Sequence, residues 1–459
     1  MEKQKSFEKT VLKIALPVTL QSLLQSSFSV VDQVMIGQLG SGSIAGIGLG
    51  GKFASLYSVV LAAIASAAGI MISQYTGKKD EESADKSFYI SLVLSVGLAI
   101  LFLIPCLFFP ENIMAVYTDD EATRLLSVKY IRLLALSFLP MAVSSIVTTM
   151  LRCMEAAALP LYAGIFALVL NTGLNYLLIF GKWKFPEMGV EGAALASVIA
   201  QFVSCVIILV FFVLYKIASP GSNALRECCV FPRNSLHRRN FRLNKKVKKY
   251  LTILSPLFIC EFLWSLGENV YTAIYGNIGT DACAAMTITV PVQTIVIGAL
   301  SGLSQAAGIL VGKSLGAKEY EQTYADAKKL LRYGLAASFL LSLMLVIVSP
   351  FYIKLYRVDN AVQETARNLL FVIALIAPVK VLNMILGGGI IRSGGKTKYA
   401  MWIDIIGTWI FGVPLGLLAA FVWKLPISCV YFILSLEECV RLGISFVVFR
   451  KKIWMDSIQ

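Results

Sequence analysis

Twelve uninterrupted apolar runs, each of a length that crosses about 30 Å of hydrocarbon as a helix, constrain this chain more than any other feature. They fall near 14–36, 45–72, 87–109, 130–150, 160–180, 190–214, 250–275, 283–312, 328–349, 370–391, 398–420 and 426–449. Inside lipid the backbone must satisfy its own N–H and C=O groups, so spanning structures are helices or closed barrels. Continuous runs of this length lack the in-and-out alternation of barrel strands, and an all-α integral membrane protein is expected. Composition agrees: 57% of the residues are apolar and 15% are charged, too little polar surface to coat a water-soluble core. The first run contains Asp32, exceeds the usual apolar length of a cleaved signal and is followed by no small-residue cleavage site, so it is expected to remain as the first span.

The formal net charge of +14 is unevenly distributed. Threaded through twelve spans, 29 of the 41 Lys and Arg residues fall on the side that carries both termini and 9 on the other. The positive-inside rule then places both termini in the cytoplasm of a multi-pass cell-membrane protein. The richest segment is the loop 215–249, with Arg238, Arg239, Arg242, Lys245, Lys246, Lys248 and Lys249. Orientation and contact with anionic lipid headgroups account for such a run, and no nucleic-acid partner is expected. His237, the single histidine, lies in the same loop, and the nine cysteines include only Cys228 and Cys229 as neighbours. No metal or disulfide framework emerges from that spacing.

Within the spans the sign of the charge reverses. Lys52, Lys380 and Arg441 are the bases there, against the acids Asp32, Glu261, Glu268, Asp404, Glu437 and Glu438. Ionisable groups in hydrocarbon cost about 2.5–3.5 kcal/mol each on insertion scales and mark ion pathways, relays or counter-charges for ligands.

An internal repeat organises these spans. At an offset of 239, Pro17 falls on Pro256, Gly37 and Gly40 on Gly276 and Gly279, and Ala45 on Ala284. Ala67-Ala68-Gly69-Ile70 then meets Ala306-Ala307-Gly308-Ile309, Gly77 meets Gly316 and Lys79 meets Lys318. At an offset of 240, Pro110 meets Pro350 and Leu151-Arg152 meets Ile391-Arg392. Each half holds an even number of spans, so the halves share one membrane orientation and are related by an axis along the membrane normal. Two pseudo-symmetric six-helix bundles around a central cleft are expected, 1–214 and 250–459, joined by the basic linker 215–249. That is a carrier's plan. The chain has no phosphate-cradling glycine loop, nucleophile elbow or histidine pair, so neither ATP-driven transport nor enzymatic activity is expected, and no cofactor beyond a coupling ion.

Several segments resemble the multidrug and toxic compound extrusion (MATE) family of cation-coupled antiporters. They are Val31-Asp32-Gln33-Val34-Met35-Ile36-Gly37-Gln38-Leu39-Gly40, Leu151-Arg152-Cys153 with Pro160, Asn171-Thr172-Gly173-Leu174-Asn175 through Gly181, Gly189-Val190-Glu191-Gly192-Ala193-Ala194, and Ile391-Arg392-Ser393-Gly394-Gly395. The resemblance implies that Asp32 is the coupling carboxylate, taking up H⁺ or Na⁺ as the exported compound leaves. It further implies that a Na⁺ site is completed by Asn171, Asn175, Ala193 through its carbonyl, and Ser197. Some relatives carry a second carboxylate at the position of Asn175. Two other departures are Glu155, where similar proteins usually have Gly, and Lys396, where many have an acid; both belong to the face carrying the termini.

The second half has an acid face of its own. Glu261, Trp264, Glu268 and Tyr271 recur at i, i+3, i+7 and i+10, one helical stripe. Carboxylates beside aromatic rings attract a lipophilic cation by charge and cation–π contact, and Glu261 matches an acid of similar proteins. Asp404 is a further contact candidate, whereas Glu437 and Arg441, at i and i+4, read as an ion pair. The expected function is secondary antiport of small organic cations or amphipathic drugs against Na⁺ or H⁺, by a monomer in contact with membrane lipid. A flippase for a lipid-linked sugar or cell-wall precursor shares the two-bundle plan, but a pyrophosphate lipid needs a basic cavity, and acids outnumber bases in these spans.

Overall fold

The computed structural model describes residues 2–39, 41–183, 185–218, 245–354 and 359–457. Most of the basic linker, with Cys228, Cys229, His237, Arg238, Arg239 and Arg242, lies outside the described residues. Twelve long helices carry the described chain: α1 (Glu2–Gly37), α2 (Ser41–Gly77), α3 (Glu81–Phe108), α4 (Glu121–Cys153), α5 (Ala158–Phe180), α6 (Gly189–Ala218), α7 (Lys245–Ile278), α8 (Thr280–Gly316), α9 (Tyr320–Ile353), α10 (Asn360–Ile391), α11 (Thr397–Val422) and α12 (Ile427–Arg450). A short helix, Pro110–Ala115, follows α3.

Ten of the twelve, α2 to α11, are long and apolar enough over their described residues to cross a membrane. The first and last helices of the chain are the two outside this set. α12 carries Glu437, Glu438 and Arg441, all buried, and α1 opens with Glu8, Lys9 and Lys13. Helix ends follow ordinary capping chemistry. Asp120 precedes α4, and its Oδ2 accepts from Thr123 N at 3.0 Å. That bond holds the Asp120 carboxyl below the usual carboxylate range.

Packing divides the described chain into two compact units. One comprises Met1–Ser26, Gly69–Ala84 and Ile253–Gln459, and the other comprises Ser27–Ala68 and Asp85–Thr252. The cuts therefore fall inside α1 and α2 rather than in the linker alone. Contacts inside the first unit explain this. Thr19 Oγ1 donates to Ala299 O at 3.1 Å, and Ser22 Oγ and Ser301 Oγ share a hydrogen bond of 2.9 Å. These polar residues of α1 bond to α8, so the first half of α1 belongs with the C-terminal helices. The second unit is cored by Tyr57, whose ring stacks on Phe138 at 4.4 Å and whose hydroxyl donates to Phe138 O at 2.6 Å.

The last turns of α2 join the first unit through a crossing with α8 that requires glycine on both sides. A Cβ on Gly77 would run into the carbonyl oxygen of Lys313, and a Cβ on Gly316 would run into that of Gln74. Gly77 is the repeat partner of Gly316, and Gln74 that of Lys313, so the crossing is self-complementary as a two-fold axis demands. The repeat also shows in the turns that follow. Lys79 and Lys318 both adopt positive φ, at 60° and 63°, and Glu155 (61°) stands where its repeat partner Gly395 (74°) uses a conformation natural to glycine. Lys396, the other departure on this face, reaches Asp456 Oδ2 at 3.5 Å.

Two stability predictions follow from this geometry. Gly316→Ala is expected to lower the melting temperature of the purified protein, whereas Gly443→Ala, at a helical site with no atom within 4 Å of the new Cβ, leaves it unchanged or raises it. Glu155→Gly is expected to stabilise by about 1 kcal/mol by relieving a left-handed backbone, again read as a higher melting temperature.

Candidate functional site

Two buried polar clusters stand out, one in each unit. In the second unit, Asn171 and Asn175 lie one turn apart on α5, and Ala193 and Ser197 one turn apart on α6. These spacings put each pair on one helix face. Asn175, 2% exposed, donates from Nδ2 to Asp32 Oδ1 at 2.9 Å, and the same nitrogen lies 3.3 Å from Asn171 Oδ1. Asn171 Nδ2 is 3.4 Å from Ser197 Oγ, and Ser197 Oγ donates to Ala193 O at 3.1 Å. With its amide turned the other way, the Asn171 nitrogen comes within 3.2 Å of Asp32 Oδ2 while its oxygen accepts from Ser197 N.

All five residues expected around the coupling ion are thus brought together. No base pairs with Asp32 among the described residues, so its charge is met by neutral amides alone. Asn175 Oδ1 is buried and has no hydrogen-bond partner among the described residues. A lone carboxylate and an unpaired amide oxygen make a small oxygen-lined seat suited to a proton or a hard monovalent cation. Ala193 also belongs to an apolar cluster with Ile47, Ile179 and Val190, against which Met35, Ile36 and Tyr130 pack. Tyr130 was not singled out by the sequence, where it reads as an ordinary aromatic residue of the fourth span.

The second cluster occupies the first unit and joins α7, α10, α11 and α12. Arg392 Nη1 donates to Glu261 Oε1 at 2.7 Å, and Arg392 Nη2 lies 3.5 Å from Asp404 Oδ2. Cys260 Sγ links the two, donating to Asp404 Oδ2 at 2.6 Å and accepting from Arg392 Nη2 at 3.0 Å. Arg441 approaches the other Asp404 oxygen at 3.7 Å, Glu437 at 3.6 Å and Glu438 at 4.0 Å, and donates to Thr408 Oγ1. Tyr271 donates to Glu437 Oε2, and Asn383 Nδ2 donates to Glu438 Oε2 at 2.8 Å. Wide π turns occur in α10 at Met384–Ile391 and in α11 at Ile406–Gly412, beside the cluster, a local geometry common at functional sites. Gly407 and Gly412 leave the room that Arg441 and the Tyr271–Glu437 pair occupy.

This arrangement corrects one sequence assignment and divides another. Arg392 falls just past the tenth apolar run, 370–391, where a loop position is expected, yet it is a largely buried base in the ion-pair network. A signal for it existed, since an acid such as Glu261 inside lipid demands a partner and Arg392 repeats Arg152 in the first half. The stripe on α7 splits: Glu261 and Tyr271 turn into the network, whereas Trp264 (46% exposed) and Glu268, one turn apart, remain exposed. The i, i+4 pair of Glu437 with Arg441 is present as expected. Replacing Arg392 by Gln is expected to cost about 3–5 kcal/mol, because Glu261 loses its base and Asp404 loses one of its two. Adding Glu261→Gln recovers part of that loss, and thermal unfolding of the single and double variants measures both.

Comparison with known proteins agrees with this architecture. The MatE family model matches residues 17–177 and 256–418, one match in each half. The "Probable multidrug resistance protein NorM" of Photorhabdus laumondii is 22% identical over 90% of this chain and 87% of its own length. The protein of the same name from Streptococcus pneumoniae strain R6 is 26% identical over 89% of this chain and 87% of its own. Among solved structures, the Vibrio cholerae MATE transporter VcmN superposes with a TM-score of 0.86 at 17% identity, covering 99% of this chain and 98% of that one. A MOP superfamily transporter from Pyrococcus furiosus gives 0.84 at 16% identity, covering 97% and 96%.

Proposed function

This chain belongs to the MATE family of multi-pass membrane transporters, and from that premise we propose that it is a secondary antiporter that exports organic cations or amphipathic drugs in exchange for Na⁺ or H⁺. The observation that carries the reading is the Asp32 seat. A carboxylate in a membrane-spanning helix, met by amides instead of a base, keeps an unbalanced charge that an ion can neutralise. Asn171, Asn175, Ala193 and Ser197 complete the seat, and the unpaired Asn175 oxygen supplies a ligand for Na⁺ or an acceptor for a proton's hydrogen bond.

Coupling then works by linkage. Ion occupancy at Asp32 stabilises the state of lower cargo affinity, and useful exchange needs a differential of a few kcal/mol between the two states. The two halves, 1–214 and 250–459 joined by the linker 215–249, would rock about that equilibrium with both termini in the cytoplasm. On the cargo side, Trp264 and Glu268 offer an exposed ring and carboxylate one turn apart, a fit for a lipophilic cation. Behind them Glu261, Tyr271 and Asp404 belong to the buried network. The same network speaks against a flippase for a pyrophosphate lipid, since its acids Glu261, Asp404, Glu437 and Glu438 outnumber its bases Arg392 and Arg441.

Asp32→Asn is expected to abolish export of a fluorescent lipophilic cation from proteoliposomes while leaving insertion and melting temperature close to wild type. Undiminished efflux in that variant would remove the coupling role. Separately imposed Na⁺ and pH gradients on the wild-type protein identify the ion, because only the coupled gradient accelerates efflux.

A further inference from the structure

After Arg450, where α12 finishes, the sequence runs Lys451-Lys452-Ile453-Trp454-Met455-Asp456-Ser457, an apolar triplet between polar residues. A segment outside the helices stays poorly ordered unless something ties it down, and here Trp454 is fully buried. Lys452 takes a left-handed turn (φ 54°) and its N–H donates to Phe449 O at 3.1 Å, which folds the segment back over the end of α12. The Trp454 ring then stacks on Phe449, with centroids 5.7 Å and planes 7° apart, and its Nε1 donates to Phe449 O at 3.3 Å. Phe449 stacks in turn on Tyr324 of α9 at 5.0 Å.

The folded segment reaches both sides of a seam. On one side is the turn from α10 to α11, where a Cβ on Gly394 would run into Trp454 O and Lys396 pairs with Asp456. On the other side is α2. Gln74, 1% exposed, donates from Nε2 to Ser393 O at 2.6 Å and lies 3.4 Å from Asp456 O. One amide thus holds the turn and the segment together, and the backbone oxygen of the same residue is the atom to which Gly316 of α8 gives room. Gln74 comes from the half 1–214 and these partners come from 250–459, yet all of them lie in the first compact unit.

We propose that residues 451–457 are a strap: latched by Trp454 and tied by Gln74, they keep the end of α2 against α8 and the α10–α11 turn, so that this end of the first unit opens only after the strap lets go. The ties are unequal in a way that suits release. The Lys396–Asp456 pair is about half exposed and the Tyr320–Ser457 hydroxyl contact is 3.4 Å long, so both contribute little. Trp454 is the latch, and it can leave its seat without unwinding α12. The strap follows from these contacts alone and does not depend on what the protein carries. The export reading gives it a use, since the halves 1–214 and 250–459 meet at this crossing and rocking has to part them there.

The test is amide hydrogen exchange, read by mass spectrometry, of the purified full chain in lipid nanodiscs beside its Trp454→Ala and Gln74→Leu variants and a variant ending at Arg450. Loss of the latch, by Trp454→Ala or by shortening, is expected to speed exchange about tenfold in 69–77, 308–316 and 390–396, while 158–180 of α5 stays within about twofold of the full chain. Gln74→Leu, which keeps the bulk and removes the amide, is expected to speed 69–77 and 390–396 in the same way, and it carries the comparison should the other variants fail to fold. Exchange within about twofold of the full chain in these segments overturns the strap. So does an equal rise in α5, which would make the segment an ordinary part of the packing whose loss loosens the whole fold. No cargo enters the measurement, so failure of the export reading leaves its outcome unaffected.

Discussion

Charge inside hydrocarbon must be matched or it is expelled, and that single constraint organises both halves of this protein. Water is not present in the bilayer core to solvate a carboxylate, so each one needs a base, a ring of donors or a visiting ion. The two units meet the constraint differently. The C-terminal network pairs Glu261 with Arg392, shares Asp404 between Arg392 and Arg441, and caps Glu437 and Glu438 with Tyr271 and Asn383. The N-terminal seat gives Asp32 amides and, among the described residues, no base. A carboxylate held by a base resists change, because removing either partner strands a buried charge. A carboxylate met by amides alone keeps a charge that an ion can neutralise, and the coupling role proposed for Asp32 rests on that difference.

The constraint also explains what could be read from the residue order. Asn171 with Asn175, and Ala193 with Ser197, are local i, i+4 pairs, so the face they share is written in the chain itself. Their meeting with Asp32 needed the family resemblance, because nothing local relates α1 to α5 and α6. Arg392 escaped for the opposite reason. It follows three glycines and two isoleucines at the end of a span, where an arginine reads as a loop anchor. Its burial follows from a partner 131 residues earlier in the chain. The stripe on α7 was a correct periodicity with an incomplete consequence, since a stripe of four residues covers enough arc for Glu261 and Tyr271 to turn inward while Trp264 and Glu268 stay exposed.

The unit boundaries show a second limit. A loop rich in Arg and Lys is the obvious place to divide the chain, but contacts draw the first half of α1 and the last turns of α2 to the C-terminal helices. The polar stripe of α1 had a visible clue in Thr19 and Ser22, which would be unmatched against lipid and are satisfied by Ala299 O and Ser301. Small residues do the rest. Gly77 and Gly316 admit the backbone of the opposite helix where any side chain would collide.

Symmetry and chemistry part company in this fold, and the division is physical. The repeat preserves what the backbone needs: glycines at the α2–α8 crossing, left-handed turns at Lys79 and Lys318, and an arginine at 152 and 392. It does not preserve the acids. Asp32 has Tyr271 as its repeat position at the offset of 239, and the hydroxyl there caps Glu437 instead of holding an unmatched charge. Duplicated scaffolds carry one crossing geometry in both halves because a clash is fatal wherever it falls. Ionisable groups are free to diverge: the carboxylate of one half is met by amides, and those of the other are met by bases.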